Sequence, residues 1–368
     1  MRVTVIGAGI MGLSTAWALD RRGHSVTVID RYPVPNTLGS SVDQHRLIRY
    51  PYGAMAGYAA MVGPAYRAWD RLWADLGETH YVETGTLAVG TARHQWLIDS
   101  VETLSRSGIG FEELTVDELA RRFPLVNPEG LDRAIWLPTG GVLLADRIVE
   151  GLARHLTAKG VPVLAETPAQ EIDPERARVT LEDGRTIEAD RLVVAAGPWV
   201  TRLVPGLAGR VTPSRQVVCY VKPPADKAAD WARMPMVLDI DPRWGIYVIP
   251  PVAGTGMKIG DHVFSLTGDP DRDREAAVGE EAKILEACRS RLTGFAVFGI
   301  DRLKTCFYTV QPDEKFVVEP LGAAAWVMTG FSGHGFKFGP LMGEAMAEVL
   351  DGLRDPASLT RWAAGETA

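Results

Sequence analysis

Arg2 to Ile6 is a short β-branched run with no charge after Arg2, the pattern of a strand covered on both faces in a parallel sheet. Gly7-Ala8-Gly9-Ile10-Met11-Gly12 follows at once. From Ile10 to Arg22 the apolar residues Leu13, Ala16, Trp17 and Leu19 recur at helical spacing, and Gly23 stands where a helix stops. Ser25 to Ile29 repeats the strand pattern and ends at Asp30. The three pieces make a strand-helix-strand unit of roughly 30 residues.

Beyond a loop rich in Pro, Asn and Gly (31–39), Tyr58 to Leu76 predicts a long helix with an aromatic face of Tyr66, Trp69 and Trp73. A strand is expected at Thr84–Val89, and helices at His94–Gly108, Thr115–Phe123 and Ala145–Lys159. A strand follows at Val161–Leu164, then a hairpin within Ala177–Glu188 turning at Asp183-Gly184. Arg191 to Ala196 reads as a third buried strand, running into Gly197-Pro198-Trp199. From Val211 to about Val310 the pattern predicts short strands with many prolines, interrupted by a helix at Gly279–Arg291. The chain closes with a strand (Trp326–Thr329), a glycine turn (Gly330–Gly335) and a helix (Pro340–Leu353). The simplest layout is an α/β nucleotide domain in three separated pieces, with a second, mostly antiparallel region inserted between them.

A length of 368 residues suits about two domains and a sizeable core. A hydrophobic fraction of 46% with 23% charged residues excludes disordered, collagen-like and coiled-coil classes. Net charge is −7 and no Lys/Arg run exceeds two residues, so no phosphate-tracking surface, and no nucleic acid, is expected. No apolar run approaches the roughly 20 residues of a membrane span. Glycines break the apolar N-terminus too early for a signal peptide, so a cytoplasmic location is the expectation. Cys219, Cys288 and Cys306 are too few and too scattered for a disulfide framework or a metal site.

Gly7-x-Gly9-x-x-Gly12 lies between a strand and a helix, the context that gives the pattern its meaning. Gly7 allows the tight turn, Gly9 lets backbone approach a pyrophosphate, and Gly12 lets helix and strand close together. The N–H groups at Ile10 and Met11 and the positive helix end then face the phosphates. Asp30, with Arg31 after it, stands 18 residues past Gly12, where an acid accepts a ribose hydroxyl. The sheet resumes only after residue 160, and a second backbone approach is available at Ala195-Ala196-Gly197-Pro198-Trp199. A long cofactor, FAD, is therefore favoured over NAD.

Five stretches carry a resemblance to a known family: Val5–Gly12, Gly39–Tyr52, Met257–His262, Thr305–Pro320 and Gly330–Phe338. The chain resembles the glycine oxidase and D-amino-acid oxidase flavoproteins, and among them monomeric sarcosine oxidase and N-methyltryptophan oxidase. The resemblance implies an FAD-binding Rossmann-like domain of glutathione-reductase type (1–80, 141–210 and 307–368). It also implies an inserted α+β substrate domain on an antiparallel sheet (81–140 and 211–306). A monomer or small homo-oligomer is expected, acting on a small amino-acid substrate and O2.

The resemblance also implies roles. Cys306 matches a cysteine joined through sulfur to the flavin 8α-methyl; alone, such a residue reads as a small buried packing group. Lys337 and Arg49 match the holders of the substrate carboxylate, and a compact cation or a guanidinium suits that task. Arg46 lies nearer the flavin face; both arginines could instead brace the loop through acids such as Asp43. Ser40, Gly333, Gly335 and Phe336 fall in stretches that wrap the cofactor. Lys258 matches a lysine over the flavin that assists reaction with O2, since a fixed cation stabilises the developing superoxide charge. His262 and Tyr247 match pocket residues; His262 also reads as a satisfied structural histidine.

Three departures bear on substrate. A histidine pair in the family appears here as Ser41-Val42, Tyr247 is followed by Val-Ile-Pro-Pro, and Trp244 adds bulk. The expected activity is FAD-dependent oxidation of an N-methyl or cyclic secondary amino acid. Hydride passes from the carbon beside nitrogen to flavin N5, the imine hydrolyses, and H2O2 is released. A flavin dehydrogenase serving an electron carrier and a non-catalytic flavoprotein subunit are the alternatives.

Overall fold

The strand-helix-strand start of the chain sets the frame. In the computed structural model, which describes residues 1–241, 243 and 245–366, β1 (Arg2–Ile6) leads into α1 (Ile10–Arg21) and β2 (Ser25–Ile29). Gly7 has φ +108°, and a Cβ there would lie 2.3 Å from the Ala195 carbonyl oxygen. A Cβ on Gly12 would lie 1.8 Å from the Gly7 carbonyl oxygen, so only glycine allows α1 to seat on β1. Leu13, Ala16 and Trp17 on α1 are fully buried between the sheet and the helix Gly339–Leu350.

Six strands form the first sheet, in the order Val317–Pro320, Ala325–Thr329, Arg191–Val194, β1, β2, Val163–Leu164. All neighbours are parallel except the first pair. The strand expected over Val161–Leu164 shrinks to its last two residues. The hairpin at Asp183-Gly184 forms and gains a third, unforeseen strand, Ala169–Asp173. A terminal helix, Pro356–Ala363, was not anticipated. Its signals are in the sequence: the Asp355 carboxylate accepts the Ser358 N–H at 2.8 Å, and proline follows the cap.

The second sheet has eight strands: Gly299–Val310, Thr212–Lys222, Met257–Asp261, Ile246–Ile249, Met236–Asp239, Thr86–Gly90, Arg133–Leu137 and Glu112–Leu114. Only Met236–Asp239 and Thr86–Gly90 run parallel. The expectation of short strands throughout 211–310 is corrected here. Thr212–Lys222 and Gly299–Val310 span 11 and 12 residues and pair along their whole length. Pro213 is tolerated because the next strand, Met257–Asp261, pairs only with Cys219–Val221, leaving that flank of the proline free of a ladder. The helix expected at Gly279–Arg291 begins at Ala282. A small sheet joins β3 (Arg46–Ile48) to Gly141–Leu143 and Tyr81–Glu83. The mixed α/β fold thus brings three segments together: the 39–49 stretch, the end of Gly299–Val310, and the turn after Ala325–Thr329.

Candidate active site

Two adjoining cavities occupy this junction. The first, of ≈290 Å³, is walled by Gly7, Gly9, Ile10, Met11, Asp30, Arg31, Ser40, Arg46, Gly197, Trp199, Gly333, Gly335 and Phe336. Gly12 lies behind that wall as the packing contact described above. Ser41, read from sequence only as a missing histidine, has a positive role: its Oγ accepts the Ile10 N–H at 2.9 Å. It thereby caps α1, whose next N–H groups have no acceptor within the helix. Asp30 is engaged by the protein itself. Its Oδ2 accepts the Ala8 N–H at 2.8 Å and its Oδ1 the Tyr32 N–H at 2.9 Å. Burial pushes its carboxyl upward against those bonds.

The second cavity, of ≈640 Å³, is lined by Arg49, Tyr247, Lys258, His262, Cys306 and Lys337. Arg46, Tyr308, Ser332, Gly333 and Phe336 line both cavities, so the two share one wall. Lys337 is 5% exposed, and its ammonium donates to Tyr52 Oη at 2.9 Å and to the His334 carbonyl at 3.0 Å. Arg49 donates to the Pro51 carbonyl and lies 4.9 Å over the Tyr52 ring. Neither cation has a carboxylate within 4.0 Å among the described residues. Burial, and then Arg49, holds Lys337 well below the ordinary lysine range; burial also lowers Arg49. Glu314 lines the same cavity and acts on Arg49 from beyond 4.0 Å, but a buried lysine beside a second cation is costly unless an anion joins it. His262 packs 5.7 Å from Tyr247 between ring centres. It opens onto the cavity; desolvation there, with Arg49 nearby, holds it below the ordinary imidazole range, so it is neutral at pH 7.

Lys258 behaves differently. It is 3% exposed and donates to Asp43 Oδ2 and the His45 carbonyl, both at 2.8 Å. Asp43 also accepts Arg46 at 3.0 Å and the Tyr220 hydroxyl at 2.5 Å, with the Lys304 ammonium 3.3 Å away. Burial raises the Asp43 carboxyl, but Lys258, Arg46 and Lys304 outweigh it and hold it far below the carboxylate range. Burial lowers Lys258 to about 8 despite Asp43. The Cys306 thiol is raised by burial, with Arg46 and Lys258 opposing. Trp244, expected near the pocket, lies outside the described residues.

The family described as FAD dependent oxidoreductase matches residues 2–349. The chain belongs to this FAD-dependent oxidoreductase family. It is similar to peroxisomal sarcosine oxidase of Mus musculus, 31% identical over 94% of this chain and 90% of the relative. Monomeric sarcosine oxidase of a Bacillus species is 28% identical over 94% and 91%. N-methyl-L-tryptophan oxidase of Yersinia pestis is 28% identical over 93% of each. Among solved structures, NikD, an amino acid oxidase of nikkomycin biosynthesis, matches with a TM-score of 0.80 at 20% identity, covering 94% and 93%. Glycine oxidase from Bacillus cereus matches with 0.78 at 18% identity, covering 97% of each chain. These two show the shared fold.

For an FAD-dependent oxidoreductase of the sarcosine oxidase and N-methyl amino acid oxidase type, the first cavity fits its cofactor. The glycine turn adds no bulk of its own at the α1 N-terminus; Ser41 takes the Ile10 N–H and leaves the next N–H groups for a pyrophosphate, and Arg46 reaches the wall shared with the second cavity. Sequence reasoning missed Tyr308 in the shared wall, Tyr52 under Lys337, and Asp43 as the hub of Lys258. Tyr308 was legible as the second residue after Cys306 on one strand, hence on the same face. The bracing of Arg46 by Asp43, three residues away, was legible as the alternative role of that arginine, but nothing local marks the Lys258 bond of Asp43 or the Lys337 bond of Tyr52, whose partners are 215 and 285 residues away.

Proposed function

We propose that this protein is an FAD-dependent oxidase of a secondary amino acid, N-methylated or cyclic. The observation that carries the reading is the pair of buried Lys337 and half-buried Arg49, with no carboxylate within 4.0 Å of either among the described residues, in a cavity that adjoins the cofactor cavity; Glu314 lines the same cavity and acts on Arg49 only from farther away. The substrate carboxylate docks between them, replacing the missing counter-charge. That contact fixes the amine-bearing carbon toward the shared wall, which is orientation rather than acid-base chemistry. FAD supplies the two-electron acceptor: the carbon beside nitrogen gives up hydride, nitrogen loses its proton, and O2 leaves as H2O2. Neutral His262 and the Tyr247 hydroxyl flank the amine and supply no negative charge to hold a proton on it, while Arg49 in the same cavity opposes an ammonium, which favours the neutral amine that the reaction needs. The resulting imine is hydrolysed by water. Lys258 is the fixed cation that assists reduction of O2.

In this reading Cys306 carries the flavin covalently, and residues 1–80, 141–210 and 307–368 bind it. Residues 81–140 and 211–306 cover the substrate. One observation favours a dehydrogenase as the second reading: Lys258 already spends two N–H bonds on Asp43 and the His45 carbonyl. A panel of N-methyl and cyclic amino acids, followed by peroxide release and by a carrier dye without oxygen, tests both. Peroxide at a rate matching substrate loss supports the oxidase; turnover with dye alone supports the dehydrogenase.

A further inference from the structure

Among the described residues, Asp43 is the one acid in a group of charges that also holds buried Lys258 and partly buried Arg46 and Lys304. It lies in the 39–49 stretch that separates the two cavities, and it is 5% exposed. Each carboxylate oxygen takes more than one partner: Lys258 and Arg46 on Oδ2, Tyr220 and Lys304 on Oδ1. Lys258 reaches it from the strand Met257–Asp261, Tyr220 from Thr212–Lys222, and Lys304 from Gly299–Val310. The other titratable groups around the Lys258 ammonium are uncharged at pH 7. Burial raises Tyr220, Tyr308, Tyr247 and Cys306, and burial lowers His45 to about 3. Asp43 is thus the negative charge in contact with Lys258, and Arg46 and Lys304 both oppose its protonation.

We propose that Asp43 is a positioning residue that keeps the Lys258 ammonium aimed and protonated beside the cofactor cavity, and so sets the upper pH limit of flavin reoxidation by oxygen. The inference rests on the reading of Lys258 as the oxygen-facing cation. Without Asp43, three cations would crowd together, with Lys258 the one most hidden from water. The arginine cannot shed its proton, and Lys304 is partly solvated, so Lys258 would give up its own. The same carboxylate fixes the direction of the ammonium, because the other bond of Lys258 goes to a backbone carbonyl that cannot move independently.

The test compares Asp43→Asn, Asp43→Glu, Lys258→Met and the double variant as flavin-loaded proteins. Three quantities are read: flavin content, the pH at which the flavin midpoint potential changes slope, and the stopped-flow rates of reduction and reoxidation from pH 6 to 10. In Asp43→Asn the slope change and the alkaline fall of reoxidation both move down by at least about one pH unit, tenfold in rate at fixed alkaline pH. Reduction by substrate stays within about twofold, Asp43→Glu restores most of the profile, and the Asn change adds nothing in the Lys258→Met background. Equal slowing of both half-reactions, an unmoved slope change, or an undiminished Asn effect in the Lys258→Met background overturns the proposal. If Lys258→Met reoxidises as fast as the parent, the reading of Lys258 fails and the proposal with it. If Lys258→Met is slow while Asp43→Asn keeps the parent profile, the reading stands and only the role of Asp43 is refuted.

Discussion

Replacing Lys337 with methionine separates binding from folding in an unusual way. The lysine sits beside Arg49 with only a phenol oxygen and a carbonyl as partners; a bound carboxylate would hold it protonated and take the third N–H. A charge-assisted bond to a carboxylate contributes about 1.5–3 kcal/mol, so Lys337→Met should weaken carboxylate binding roughly ten- to two-hundredfold. Stability should move the other way. At neutral pH the unfolded lysine carries its proton and the native one resists it, because burial and Arg49 lower its pKa. The unfolded state therefore binds more protons, native stability rises with pH, and removing the group relieves that penalty at pH 7. The assay pairs thermal melts with flavin-perturbation titrations, using a secondary amino acid and the matching amine without a carboxylate. The account expects a Tm equal to or above the parent, weaker binding of the acid, and unchanged binding of the amine. A lower Tm with unchanged affinity for the acid would refute the idea of an uncompensated cation awaiting a carboxylate.

Four further outcomes are expected. Binding of a carboxylate ligand should weaken as pH rises, because the anion holds a proton on Lys337 that the empty site gives up; a pH-independent dissociation constant between pH 6 and 9 would contradict this. Cys306→Ser should leave flavin in the supernatant after acid precipitation while the parent keeps it in the pellet; flavin released from both would show there is no covalent link. Ser41→Ala removes the acceptor of the Ile10 N–H, should cost about 1 kcal/mol, and should lower flavin content; melts of the flavin-free and flavin-loaded forms measure both. In the parent, reoxidation should fall as pH rises through about 8, where Lys258 loses its proton, and a flat profile from pH 7 to 10 would exclude a charged Lys258 from that step.

Local signals were readable from the chain alone. The turn at Gly7–Gly12 follows from residues adjacent in sequence, since a missing Cβ is required at both ends of the turn. The long pair Thr212–Lys222 and Gly299–Val310 was hidden because Pro213 and the polar positions interrupt the period-two pattern, while the ladder that rescues them is far away in sequence. Family likeness pointed to Arg49, Lys337 and Lys258, but their electrostatic states were not legible. Among the described residues Arg49 and Lys337 have no carboxylate within 4.0 Å while Lys258 has Asp43, and that contrast depends on where 39–49 lies against three other segments. Ser41 shows the converse: read as a loss, it turns out to cap the helix at the cofactor cavity.

The role of Arg49 and Lys337 is decided by anaerobic mixing of the flavin-loaded protein with an N-methyl or cyclic amino acid, beside the same amine lacking its carboxylate. The acid should bleach the flavin's visible absorption at low concentration, and Arg49→Met and Lys337→Met should each raise the concentration required. Bleaching by the two amines at the same concentration, unaffected by either substitution, would contradict it.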